Sequence, residues 1–176
     1  MHIRPAITIV LGAALLLIIP LIATYTVEGF NWQPFDFAIV WVLLSGAGLA
    51  YTFIVSRSAN LAYRVAAGLA VLAALALIWI NGAVGIIGNE DNPANLLYGA
   101  VLATGLVGAF LARLKPRGMS YALMATAIVQ AFVPVAAFII WRPDMSPGVV
   151  QVFMLNALFV LVFAVSGLLF RRAAHA

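Results

Sequence analysis

"INGAVGIIGNEDNPANLLYGA", residues 80–100, decides how the chain is read. Two apolar runs meet here around its most polar stretch, Gly88 to Asn95, which holds two acids and three amides. A break this short between long apolar runs is the turn of a helix hairpin, and the rest of the chain repeats the pattern.

Apolar residues make up 66% of the 176 residues and charged residues 8%, far from the near-even apolar share and quarter charged of soluble domains. Six runs are each close to the ~20 residues that span a hydrocarbon core. They are placed at about 6–25, 36–55, 61–87, 95–113, 119–141 and 149–170. Without water, every amide must bond within its own segment, so the runs are expected to be helices; a barrel would alternate in polarity. The expected fold is all-α: one transmembrane domain over residues 1–176, a six-transmembrane-helix bundle with short loops. The first run is long for a signal segment and no Ala-x-Ala site follows it, so it is expected to be retained.

The charges orient the bundle. Arg4, Arg57, Arg64, Arg113, Lys115, Arg117, Arg171 and Arg172 fall on one side of the spans, and Arg142 alone on the other. Glu28, Asp36, Glu90, Asp91 and Asp144 all fall opposite the basic side. The positive-inside bias therefore places both termini in the cytoplasm and the Gly88–Asn95 loop outside. Trp32, Trp41, Trp141 and Tyr25 lie near the outer interface, where an aromatic belt belongs. Short loops and richness in Ala, Leu, Val and Gly suit a multi-pass protein of a cell membrane, the bacterial inner membrane.

Several chemistries are excluded. The net charge of +4 sits at span ends, with no basic run interleaved with aromatics, so nucleic acid is not an expected partner. Cysteine is absent and the two histidines, His2 and His175, lie at opposite ends. Neither a metal site nor a cofactor is expected. No ionisable residue lies at mid-span, which removes proton relays, counter-ions and most embedded catalysis, and no enzyme is expected.

Uncharged polar residues remain. Gln130 is near the middle of span five, Asn156 just outward of the middle of span six, and Asn81 further out in span three. Pro20, Pro134 and the glycines at 82, 85 and 88 gather in the same outer halves. Irregular backbone at that depth belongs inside protein or beside water, so an outward-facing polar cavity near Asn81, Gln130 and Asn156 is expected to bind substrate. The alternative is that the three amides only bond across helices. In the loop, Asn92 and Pro93 suit the start of helix four, while Glu90 and Asp91 suit its positive end or a bound cation. Asn92-Pro93-Ala94 is also the aquaporin signature, but that family carries it twice, and a single copy in an outer loop transfers no fold or function.

Small residues at four-residue spacing (Ala100, Thr104, Gly108 and Ala112; Ala66, Ala70 and Ala74; Gly46 and Ala50) provide ridges along which helices approach. Two functions are left open: a passive channel or carrier for a small neutral or weakly polar solute, or a non-catalytic accessory or scaffold subunit. The expected partners are membrane lipids and either further copies, as a homo-oligomer, or the other subunits of a membrane protein complex.

Overall fold

Proline sets where half of the helical segments begin. It has no N–H to lose in a first turn and its φ is already helical, and Pro34, Pro93, Pro116 and Pro147 each open a helical segment. The computed structural model describes residues 3–142 and 146–176. His2, Asp144 and the Arg4 side chain lie outside them. The described residues form α1 (Ile3–Leu16), α2 (Ile18–Thr26), α3 (Pro34–Val55), α4 (Leu61–Ala83), α5 (Leu97–Leu111), α6 (Pro116–Trp141) and α7 (Pro147–Ala173), with a 3₁₀ turn over Pro93–Leu96 leading into α5. The fold is all-helical, with no strand among the described residues. Counting Pro5–Thr26 as one span, six helices are long and apolar enough to cross a membrane.

Two boundaries depart from the hydropathy reading. The first run is interrupted at Leu17, whose N–H turns back to the Ala14 carbonyl at 3.2 Å. Pro20 explains the break, because the Leu16 carbonyl has no N–H four residues ahead to receive. The third run was expected to stay helical to residue 87, but α4 ends at Ala83. Gly85 and Gly88 take left-handed φ values of 70° and 74°, and residues 84–92 form a folded loop. Hydropathy carried the expectation past the true end because Ile86 and Ile87 are apolar, and Ile86 is indeed buried, though in the loop.

The residues separate into two packing units, Met1–Phe53 and Ile54–Ala176. In the first, the Trp41 indole N–H donates to the Val10 carbonyl at 3.1 Å. Asp36 accepts the Gln33 N–H at 2.7 Å and closes the start of α3. Phe30 stacks on Trp32 and Trp32 meets Phe37 edge-on, with ring centroids 5.3 Å apart in each pair.

In the second unit, α5 packs on α6, α6 on α7, and α7 on α4. Small residues set the close approaches. A Cβ on Gly108 would stand 2.6 Å from the Ala122 Cβ, and one on Gly118 would stand 2.7 Å from the Ala112 Cβ. The ridge along α5 thus serves the α5–α6 contact at Gly108 and Ala112. Gly108→Val is expected to cost about 2 kcal/mol, the usual scale for overpacking a tight contact. Thermal unfolding in detergent reads it, and an unchanged midpoint would mean this contact does not hold α5 to α6.

The basic end of this unit is closed by Tyr63. Its hydroxyl donates to the Leu114 carbonyl at 2.8 Å, and its ring meets Phe170 edge-on at 5.0 Å. Nearby, the Ser166 hydroxyl donates to the Ala66 carbonyl at 2.8 Å, tying α7 to α4. These contacts bring the start of α4, the α5–α6 turn and the end of α7 together. Arg57, Arg64, Arg113, Lys115, Arg117, Arg171 and Arg172 all belong to this end. Glu90 and Asp91 belong to the opposite end, in the α4–α5 loop.

Candidate functional site

The loop after α4 is organised by one side chain. Asn95 Oδ1 accepts the Ile86 N–H at 3.1 Å and the Ile87 N–H at 2.9 Å. Its Nδ2 donates to the Ile87 carbonyl at 3.2 Å and the Asn89 carbonyl at 2.7 Å. A continued α4 would have sent those two amides to the carbonyls of Gly82 and Ala83; the Asn95 side chain takes them instead. Gly85 permits the turn, since a Cβ there would collide with the Asn89 carbonyl. Asn92 Oδ1 accepts the Ala94 N–H at 2.9 Å and caps the 3₁₀ turn, with Pro93 in its first position. Glu90 and Asp91 are exposed. Among the described residues, no three His, Asp or Glu side chains converge as a metal site requires.

Beside this loop lies a groove of about 520 Å³ between the end of α4, α6 and the start of α7. Its walls are mostly apolar, among them Ile80, Val84, Ile86, Phe138, Trp141 and Phe153, with Pro134 also on its surface. Asn92, Ser146 and Gln151 supply polar groups to its lining. This is the size and character of a small-molecule site: apolar walls and a few polar groups that orient what enters.

The amides expected at such a cavity are placed differently. Gln130 and Asn156 lie one helical turn beyond Pro134 and Val152 of the groove, wholly buried, and they bond to each other. Gln130 Nε2 donates to Asn156 Oδ1 at 2.8 Å. Tyr98 of α5 joins them: its hydroxyl donates to Asn156 Oδ1 at 3.1 Å and accepts from Asn156 Nδ2 at 2.9 Å. Asn156 Nδ2 also donates to the Val152 carbonyl at 2.8 Å, so all four of its hydrogen-bonding positions are taken. Gln130 is only half satisfied. Its Oε1 is buried without a partner, and Pro134 has no N–H to give its main-chain carbonyl.

Asn81 stands apart from this trio. Its Nδ2 donates to the Leu77 carbonyl of its own helix at 2.9 Å, and its Oδ1 is buried without a partner. The structure therefore joins Gln130 and Asn156, adds Tyr98, and leaves Asn81 outside. It places Asn92 on the groove and Pro93 at the head of the 3₁₀ turn, with Glu90 and Asp91 on the exposed loop beside it.

Sequence reading passed over Tyr98, left Asn95 without a role and placed Trp141 of the groove wall only in the aromatic belt. Tyr98 is three residues beyond Asn95, on the helix that Asn92 and Pro93 start, so its register was available once that start was placed. Asn95 had no comparable signal, because its four partners lie six to nine residues back in a loop that hydropathy reads as helix. No protein-family model matches the chain, and no curated protein or solved structure is significantly similar to it.

Proposed function

We propose that the chain is a multi-pass membrane protein with both termini cytoplasmic, and that it admits a small neutral or weakly polar solute from the outer side as a passive channel or carrier. The six apolar helices and the segregation of basic residues, Arg142 excepted, from acidic ones at opposite ends of the second unit support the membrane placement. The groove supports the solute. It opens beside the acidic loop, has the volume of a small-ligand site, and descends to Pro134. One turn further in, Gln130 Oε1 is an acceptor with no donor. A neutral solute carrying N–H or O–H groups, such as a small amide or polyol, matches apolar walls set with the polar groups of Asn92, Ser146 and Gln151.

Trp141 makes the groove testable. In a variant where Trp32, Trp41 and Trp79 are phenylalanine, Trp141 is the sole tryptophan and reports on the groove. Small amides and polyols are expected to shift its emission saturably and to cross proteoliposomes containing the protein. Gly148→Phe should abolish both effects. Gly148 lines the groove, and a Cβ there meets only Ser146 Oγ at 3.7 Å, so a ring can enter without disturbing the fold. Silent emission with every solute, and flux equal to that of empty liposomes, would remove this reading.

An accessory or scaffold role draws on the small-residue ridges, such as Gly46 and Ala50 of α3. Such ridges let a helix of another subunit approach closely. A foreign polypeptide retained at fixed stoichiometry in native mass spectrometry would favour that role over transport.

A further inference from the structure

At the basic end of the second unit, opposite the groove, a cleft of about 540 Å³ lies along the seam between α6 and α7. Arg117 enters it from the first turn of α6, and Arg171 and His175 from the end of α7. Met124 and Leu168 continue its walls along the same helices toward the middle of the spans, both with exposed apolar surface.

The placement of Arg117 is not favoured by its own helix. Arg171 and Arg172 occupy the last turn of α7, where the helix dipole favours cations. Arg117 stands in the first turn of α6, where the dipole disfavours them. That turn contains no acid, and Lys115 at its cap makes no side-chain hydrogen bond to the free amides. A helix start left uncapped, with a cation added to it and a second arginine facing it across a cleft, is arranged for an anion from outside the chain. Topology calls for positive charge at this end, but not for its convergence on one cleft.

We propose that this cleft holds the phosphate of an anionic phospholipid, with Arg117 and Arg171 on the phosphodiester and an acyl chain laid along Met124 and Leu168. The anion chemistry alone would suit a free phosphate equally well. The apolar walls running from the cations toward mid-span favour the lipid, because a soluble phosphate has nothing to place there. The inference rests on the membrane-spanning reading and is independent of the solute groove.

The test uses the full chain in phosphatidylcholine nanodiscs doped with phosphatidylglycerol, with retained lipid counted by native mass spectrometry. Phosphatidylglycerol is expected to be retained well above its share of the bilayer, and Arg117→Gln with Arg171→Gln to weaken retention by about thirtyfold, at about 1 kcal/mol per charge. Arg113→Gln with Lys115→Gln removes the same charge from the same end but outside the cleft, and should leave retention unchanged. Equal loss in both pairs would mean diffuse attraction rather than a site, and would overturn the proposal. Displacement by inorganic phosphate as readily as by phosphatidylglycerol would overturn the lipid assignment. A chain that enters nanodiscs without enriching the lipid defeats this proposal alone; a chain that does not enter them defeats the membrane-spanning reading, and this one with it.

Discussion

Asn95→Ala is expected to open the loop between α4 and α5 and to cost about 3 kcal/mol locally, from four hydrogen bonds each worth about 1 kcal/mol net and partly replaced by water. The amide is bonded on both sides: Oδ1 takes the N–H groups of Ile86 and Ile87, and Nδ2 gives to the carbonyls of Ile87 and Asn89. Alanine removes all four bonds and leaves nothing to hold Gly85 and Gly88 in their left-handed turns. The most direct reading is hydrogen exchange at Ile86 and Ile87, where protection should fall by about a hundredfold. Asn95→Asp separates the two halves of the clamp, since a carboxylate keeps the acceptor for both N–H groups but cannot donate to the carbonyls. Its loss should be intermediate. Unchanged exchange in Asn95→Ala would show that the glycine turns and the Asn92 cap hold the loop without it. Because Val84, Ile86 and Asn92 line the groove, the same variant should also weaken any solute response of Trp141.

Asn156→Leu should be the costliest single change in the helical core of the second unit, at about 2–3 kcal/mol. Asn156 fills every hydrogen-bonding position it has, and its removal strands the Tyr98 hydroxyl and the Gln130 amide at sites with almost no solvent exposure. Most of the penalty is expected to come from those stranded groups rather than from the bonds themselves. Adding Tyr98→Phe and Gln130→Met to Asn156→Leu removes the stranded groups and should recover more than half of the loss. Denaturant titration of the three single variants and the triple variant in detergent measures this. A triple variant that loses the sum of the three singles would show that the residues stabilise independently, not as one network.

How much of this could be read from the chain differs residue by residue. The six helices follow from runs of apolar residues long enough to span, and four segments begin on proline because a missing N–H costs nothing in a first turn. Asn92 and Pro93 declare the approach to α5 by the same logic. The end of α4 was not legible. Gly85 and Gly88 can be accommodated in a helix, and only the Asn95 side chain, arriving from beyond the turn, makes the non-helical path the satisfied one. The mid-span amides were legible as unusual, but their partners were not. Whether Gln130 meets Asn156, meets a solute, or bonds its own helix as Asn81 does depends on how α6 and α7 are rotated about their axes.

What the sequence determined by itself was therefore what depends on neighbours along the chain: the helical class, the number of apolar spans, and the proline-marked approach to α5. These depend on transfer free energy and on backbone hydrogen bonding within single segments, which add up locally. The tertiary structure alone decided which faces meet, where the small residues let α5 and α6 close, how Tyr98, Gln130 and Asn156 come to share one network, and where a groove and a basic cleft are left at opposite ends of α6 and α7. In spans that are apolar all round, no polar stripe fixes the rotation of a helix. The rotation comes from packing shape and from a few buried hydrogen bonds between residues far apart in the chain, and no local pattern encodes those.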